Sequence, residues 1–475
     1  MSSDSVTPSM SDEVLAPVLE RIDVQLDASI QRLCDLLRIP SISTDPEYAP
    51  QTRQAAEFMS KQLSEMGFDS QVCTTEGHPM VMATADGPEG TPTILYYGHY
   101  DVQPPDPVDL WDSPPFEPAI IEGENGPRVV ARGAVDDKGQ LMTFVEAFRA
   151  WYEVHGSYPC TVKIMLEGEE ESGSPSLDGF IEQSKDALAA DVCIVSDTGM
   201  WDIRTPAITT MLRGMIYLDI VLEGPDKDLH SGMYGGTLVN PLNALTSMLG
   251  TLWDQEGRVQ IPGFYDDVEQ LPEEVASQWS QLDFDETAFL QGAGMKTPYG
   301  EHGYSTMERM WCRPTCDLNG ILGGYTGHGA KTVIGTTAMA KVSCRLVARQ
   351  DPAKIQASLE RMLHDMCPPD CRLTITSHGS NPAISVPIDS PWLSIASGAL
   401  ESVYGRPALL IGTGGSIPAV GSIKDILGID SLLVGFGLDD DCVHSPNEKF
   451  EVRCLHMGIR SHAAILASIA AGGTC

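Results

Sequence analysis

Three short apolar runs in the first half of this chain each end on residues that carry chemistry, and helix-patterned segments separate them. Thr93 to Tyr97 runs into Gly98-His99-Tyr100-Asp101, Thr161 to Leu166 into Glu167-Gly168-Glu169-Glu170-Glu171, and Val192 to Val195 into Ser196-Asp197. Apolar runs of this length read as buried strands. Between and before them lie helical patterns. Leu15, Val18, Leu19, Ile22, Leu26, Ile30, Leu33 and Leu37 share one face over 14–38, and a second helix is expected over 51–66. After Asp136-Asp137-Lys138-Gly139, residues Leu141, Val145, Phe148 and Trp151/Tyr152 fall on one helical face. Such alternation predicts an α/β domain.

The pattern changes after residue 212. Tyr217 to Leu222 and Ala340 to Val347 read as strands, separated by a mixed stretch rich in Gly, Pro and acids. A helix (353–366) and a strand (371–377) follow, which suggests a small α+β insertion of split-βαβ type. From about 390 the α/β character resumes, through Leu432 to Gly435 and a final helix from about 454. At 475 residues the chain exceeds one ordinary core. The expected organisation is one domain built from 1–212 and 386–475, interrupted by a second at 213–385.

Composition narrows the partners. With 66 acidic and 30 basic residues the net charge is −36, which repels phosphate backbones and anionic lipid heads. Neither nucleic acid nor membrane is expected as the main partner. The first thirteen residues lack the basic and apolar regions of a secretory signal. No apolar stretch in the sequence approaches the ~20 residues of a membrane helix. Of twelve cysteines only Cys312/Cys316 and Cys367/Cys371 are closely spaced, so reduced thiols and a cytoplasmic setting are expected.

The chemically loaded residues sit at the C-terminal ends of the expected strands, where open α/β sheets place their sites. His99 and Asp101 share a face of an extended segment, so the carboxylate is placed to serve the imidazole's second nitrogen. Asp136 precedes a helix N-terminus, which favours a carboxylate. Glu169-Glu170-Glu171 crowds three carboxylates that repel unless a cation neutralises them or they splay into water. Taken singly, each has a bland reading as a helix cap, a solvated face or a loop histidine. Together, carboxylates and histidines after successive strands suit a pair of divalent metal ions.

The segments Gly98-His99-Tyr100-Asp101-Val102-Gln103-Pro104, Arg132 to Gly139, Glu167 to Ser174, Asp228-Leu229-His230-Ser231-Gly232 and His444-Ser445-Pro446-Asn447-Glu448 resemble those of carnosinase-type dipeptidases. These belong to a zinc peptidase family that also holds carboxypeptidase G and succinyl-diaminopimelate desuccinylase. The likeness keeps its order over nearly the whole chain. It implies a phosphorylase/aminopeptidase-like catalytic domain, with a central mixed sheet flanked by helices, interrupted by a split-βαβ lid and dimerisation domain. It implies two zinc ions, with manganese or cobalt as alternatives. Asp136 would bridge them, with His99 and Asp197 completing one site and Glu171 and His444 the other. Glu170 would be the general base, Asp101 would support His99, and the Asp136–Asp137 peptide would be cis. His230 would reach the partner's active site in a homodimer and donate to the oxyanion. Thr332, Arg345, His378 and Ser416 match substrate-binding positions, and an Arg is a good fork for a carboxylate.

Substrate class is read from two positions. In the family, Asp at position 197 goes with aminopeptidases and dipeptidases, and Glu with carboxypeptidases and deacylases. Carnosinase-type enzymes carry Glu where this chain has Thr413, before Gly414-Gly415-Ser416. That departure leaves an N-acyl amino acid deacylase on the same metals as the alternative to a dipeptidase. A metal-free binding protein is the alternative of another class, disfavoured because Glu170 accompanies all five ligands. A phosphate loop fails because Ala330 separates Gly329 from Lys331-Thr332, and neither Gly-x-Ser-x-Gly nor His-Glu-x-x-His occurs.

Overall fold

The computed structural model describes residues 10–415 and 417–472. Its strands, in chain order, begin with β1 (Asp69–Cys73), β2 (Met80–Ala85), β3 (Thr93–His99), β4 (Ala119–Gly123), β5 (Gly126–Val130) and β6 (Thr161–Glu167). Next come β7 (Val192–Val195), β8 (Ala207–Leu212), β9 (Gly214–Glu223), β10 (Leu229–His230), β11 (Thr315–Gly323) and β12 (Val333–Ile334). The last are β13 (Thr337–Leu346), β14 (Arg372–Asn381), β15 (Ile384–Ser385), β16 (Leu409–Thr413), β17 (Ser431–Leu433) and β18 (Lys449–Glu451). The chain divides into two compact units: Met1–Thr210 with Val386–Ile411 and Pro418–Cys475, and Met211–Ser385 with Gly412–Ile417.

The first unit is built on a mixed sheet in the order β1-β2-β6-β3-β7-β17-β8. Its centre is parallel: β3 lies between β6 and β7, with Tyr96 beside both Ile164 and Ile194. These strands are buried on both faces, which is why they read as unbroken apolar runs rather than alternating ones. The helices Met10–Leu37, Lys138–His155 and Val452–Gly472 pack against one another. Lys138–His155 is buried along its first fourteen residues and ends on Gly156 at φ 68°, a left-handed stop that glycine supplies. The helix Val452–Gly472 corrects one expectation. It has the length and mean hydropathy (1.2) of a membrane span, but 67% of that stretch is buried within the protein. Its apolar face packs on Lys138–His155 and on Pro391–Tyr404, as a core helix does. A small sheet, β18-β5-β4, brings the C-terminal part of the chain against the segment preceding Asp136.

The second unit carries an antiparallel sheet in the order β11-β13-β9-β14. β9 and β11 are joined through the helix Pro241–Leu249 and separated by β13. β13 and β14 are joined through Pro352–Met366 and separated by β9. This is the split-βαβ arrangement. Along β9, Ile216, Leu218, Ile220 and Leu222 are buried and alternate with Met215, Tyr217, Asp219 and Val221 on the other face. The buried set packs with Leu245, Leu249, Leu359 and Leu363 of the two helices. A two-stranded ladder, β10-β12, places His230 opposite Val333. Among the described residues eleven cysteines are present and all are free.

Candidate metal centre

Because β6, β3 and β7 are adjacent and parallel, their C-terminal ends open onto one place. β3 ends on His99 and β6 leads into Glu170–Ser172, while Asp197 follows β7 by two residues. Asp136 enters from the loop before Lys138–His155, where a Cβ on Gly139 would lie 1.9 Å from the Ala134 carbonyl oxygen. Only glycine lets the helix start so close to that loop. The Asp136–Asp137 peptide is cis, as the resemblance implies. His444 comes from a loop with three non-glycine residues in the left-handed region, Cys442, His444 and Asn447.

The five side chains form two groups that share one member. His99, Asp136 and Asp197 make one, and Asp136, Glu171 and His444 the other, with the candidate ligand atoms of each within 4.8 Å of one another. His99 Nε2 stands 3.3 Å from Asp136 Oδ1 and 4.0 Å from Asp197 Oδ2. His444 Nε2 stands 2.8 Å from Asp136 Oδ2 and 3.2 Å from Glu171 Oε2. The two oxygens of Asp136 therefore face different histidines. His99 Nε2 is buried and makes no hydrogen bond among the described residues. An orphaned imidazole nitrogen among carboxylates, with two three-donor groups meeting at one aspartate, fits a pair of divalent cations.

Titration shifts show the same crowding. Burial, with further push from Asp136, Glu170 and Glu171, raises Asp197 well above the usual carboxylate range. Burial also pushes Glu170 up to about 8, its neighbours Glu171, Asp101 and Asp136 adding to the effect against the pull of His99. Burial opposes the charge on Asp136, yet His444 and His99 outweigh it and hold this carboxyl below its ordinary value. Hydrogen bonds to Asp136 and Glu171 carry His444 up to about 10. The site crowds carboxyl groups whose charge is relieved either by protonation or by bound cations.

Residues 95–468 match the peptidase family M20/M25/M40. The chain belongs to this family. As an M20 peptidase it is a hydrolase acting on peptide bonds. It is 29% identical over 472 residues to the Cys-Gly metallodipeptidase DUG1 of Saccharomyces cerevisiae, covering 95% of this chain and 97% of the relative. The solved structure of the S. cerevisiae dipeptidase Dug1p superposes with a TM-score of 0.80 at 28% identity, covering 96% of this chain and 99% of that one. The Beta-Ala-His dipeptidase of Homo sapiens is 28% identical over 465 residues, covering 93% and 90%. The M20 metallo-carboxypeptidase Sso-CP2 of Sulfolobus solfataricus has a TM-score of 0.81 at 31% identity, covering 93% and 99%.

Around the candidate ligands, the M20 peptidase has supporting residues that sequence reasoning weighed differently or missed. His99 Nδ1 lies 3.2 Å from the Asp101 carbonyl oxygen and 3.3 Å from its carboxylate, but only the carbonyl has hydrogen-bonding geometry. The Asp101 carboxylate instead accepts the Glu171 N–H at 3.0 Å. Asp137 begins the helix, yet its carboxylate accepts the His99 N–H at 3.0 Å rather than capping. The crowded glutamates divide by environment. Glu169 accepts N–H groups from His78 and Ser176, Gln103 donates to Glu171 at 2.8 Å, and Glu170 lies between. Glu448 accepts from Arg132 (2.7 Å) and from the backbone of Gly133, Val135 and Asp136 (3.0–3.1 Å). It thereby ties the His444 loop to the Asp136 loop. Its place in His444-Ser445-Pro446-Asn447-Glu448 was the one available signal.

The remaining expected site residues lie in the second unit. His230 is exposed, and its Nδ1 accepts the Gly232 N–H at 3.0 Å, so a neutral ring carries its proton on Nε2. The Ser231 N–H donates to the Thr332 carbonyl at 3.1 Å, so the β10-β12 ladder brings His230 and Thr332 together. Arg345 on β13 stands opposite Met215 and Thr315. His378 on β14 pairs with Asp219 at 3.1 Å. Thr413 ends β16 and accepts the Gly415 N–H at 3.3 Å. Ser416 lies outside the described residues.

Proposed function

We propose that this M20 peptidase is a dipeptidase that uses two divalent ions, zinc first, to cleave short peptides with Glu170 as general base. The observation that carries the reading is Asp136, which is common to two candidate three-residue groups and turns one oxygen to His99 and the other to His444. His99, Asp136, Asp197, Glu171 and His444 would hold such ions, which would supply an acidified water and polarise the scissile carbonyl. Glu170, beside the ligand Glu171 but outside both groups, takes the proton of the attacking water and passes it to the leaving amine. Asp101 and Asp137 hold the Glu171 and His99 backbones in place through their N–H groups.

His230, with its proton on Nε2, donates to the developing oxyanion from across a homodimer interface. Thr332, Arg345, His378 and Ser416 bind the substrate's backbone and carboxylate, and residues 213–385 serve as lid and dimerisation domain. Unpaired thiols agree with a cytoplasmic setting. Dipeptide specificity is supported by relatives named for Cys-Gly and Beta-Ala-His.

The test is a substrate panel with added zinc, manganese or cobalt. It sets Cys-Gly, β-Ala-His and Ala-Gly against N-acetyl and N-succinyl amino acids and a longer peptide. Turnover of the dipeptides should dominate. Glu170→Ala should keep its metal and lose about 10²–10⁴-fold in kcat. Faster turnover of the acyl compounds would favour the deacylase reading, which rests on Thr413 standing where carnosinase-type enzymes have Glu.

A further inference from the structure

Cys316 and Cys344 are two thiols that the reading above leaves without a task. They stand directly opposite each other on β11 and β13, and both belong to the apolar cluster between the sheet and its helices. In the order β11-β13-β9-β14, β11 is an outer strand. The Cys316 carbonyl accepts the Trp253 indole N–H at 3.1 Å, so the backbone groups of this residue point off the open edge. In an antiparallel ladder such a residue belongs to the closely spaced, non-hydrogen-bonded kind of pair, with Cα atoms about 4.5 Å apart. A disulfide spans Cα separations of about 4.4–6.8 Å, so the strands already hold the two cysteines at bridging distance. A hydrogen bond between the two thiols, together with burial, holds Cys316 well above its ordinary value, and the charge of the adjacent Asp317 adds to the effect.

Two cysteines in an apolar cluster are, by that alone, small hydrophobic side chains. This pair differs in being approachable from one side. A cavity of about 360 Å³ within the second unit is lined by Cys316 together with Trp253, Phe289, Tyr299, Met310 and Arg313, and Cys344 does not line it. A reagent in the cavity therefore meets Cys316 first, with Cys344 behind it. The setting also favours one product. A disulfide is uncharged and suits an apolar cluster, whereas a lasting thiolate does not.

We propose that Cys316 and Cys344 form a modification site at which a low-molecular-weight disulfide oxidises the pair to a reversible cross-strand disulfide, tying the edge strand β11 to β13. Cys316 gives up its proton and its sulfur attacks one sulfur of the small disulfide, whose S–S bond breaks. A mixed disulfide forms on Cys316, and the first small thiol leaves with that proton. The Cys344 sulfur then attacks the Cys316 sulfur, closing the Cys316–Cys344 bond and releasing the second small thiol with the Cys344 proton. Two electrons pass from the protein thiols to the small disulfide. Cys316 ionises reluctantly, so the first step is slow and the reduced pair persists in a reducing setting. The new bond lies wholly within the second unit and stabilises that unit.

The experiment treats the reduced, metal-loaded protein with hydroxyethyl disulfide under native conditions, followed by peptide mapping and calorimetry. The map should link Cys316 to Cys344. The unfolding transition of the second unit should rise by about 5–10 °C, and excess β-mercaptoethanol should reverse both changes. In Cys344→Ala the small thiol should remain attached to Cys316, and in Cys316→Ala neither the link nor the rise in the transition should appear. A native protein that forms no such link, or that links Cys367 to Cys371 alone, would overturn the proposal. So would a Cys316–Cys344 link that forms only in urea, which would leave the two as small apolar side chains of the core.

Discussion

Glu448 illustrates how a single residue can brace a candidate metal site from outside both ligand groups. Its two oxygens accept four hydrogen bonds, one from the Arg132 guanidinium and three from the backbone leading to Asp136. Burial pushes its carboxyl up to about 7 against the pull of Arg132, so the ionised form is maintained by these donors rather than by solvent. Glu448→Gln would turn an amide NH₂ toward groups that are themselves donors and leave Arg132 buried without a counter-charge. The expected result is a loss of about 3–5 kcal/mol of stability and about 10–100-fold in metal affinity. Urea unfolding of the apoprotein and a metal titration measure the two separately. Unchanged metal affinity would show that Asp136 is placed by other contacts. The role of Glu448 was not legible in the sequence because its partners lie 312–316 residues upstream and three of them are backbone groups. Asp101 shows the same limit: the spacing put a carboxylate near His99, but which atom bonded the ring was decided by β3 geometry.

Whole elements were easier to read, for a physical reason. β3, β6 and β7 are buried on both faces and the flanking helices present one apolar stripe, so each burial requirement is written directly into residue type. The stretch between β10 and β11 resisted. Its helices Glu273–Ser280, Glu286–Gly292 and Thr306–Trp311 span six to eight residues each, too short to show a period. The helix Val452–Gly472 is legible as apolar, but its one buried histidine is not explained by pattern. His462 is fully buried, edge-on to Tyr96, Phe144 and Phe436, with Nε2 3.3 Å from Ser196 Oγ. Burial alone drives its pKa down to about 3, so the folded protein holds it neutral. The unfolded chain takes up that proton near pH 6.5. Because the folded value is the lower one, the stability this residue contributes is complete above pH 6.5. It is lost as pH falls from there toward 3, at up to about 1.4 kcal/mol per unit. His462→Gln removes that dependence. In urea unfolding the variant should be less stable than the parent at pH 7.5, and the gap should narrow by about 2 kcal/mol at pH 5. A gap independent of pH would show that His462 is not held neutral.

At the scale of the molecule, the chain builds two cores and, among the described residues, gathers its candidate metal ligands in one of them. The second unit has its own apolar cluster, in which Leu218 and Ile220 of β9 pack with Leu245 and Leu359 of the two helices. Both three-residue ligand groups draw every member from the first unit. A ligand that binds only the native form stabilises what it binds by RT ln(1 + [L]/Kd), about 4 kcal/mol when free metal exceeds Kd a thousandfold. That free energy is confined to the unit that must be folded for the groups to exist. Within it, metal also relieves the repulsion among Asp136, Glu170, Glu171 and Asp197 that burial otherwise magnifies. Scanning calorimetry of the metal-loaded and chelator-treated protein should therefore show two transitions. One should fall by roughly 5–10 °C on chelation while the other stays in place. The moving transition is identified by Glu448→Gln, which shifts it alone, since Glu448 and all its partners belong to the first unit. A single transition that moves on chelation would mean that the two cores unfold as one, and movement of neither transition would mean that the carboxylate cluster holds no metal.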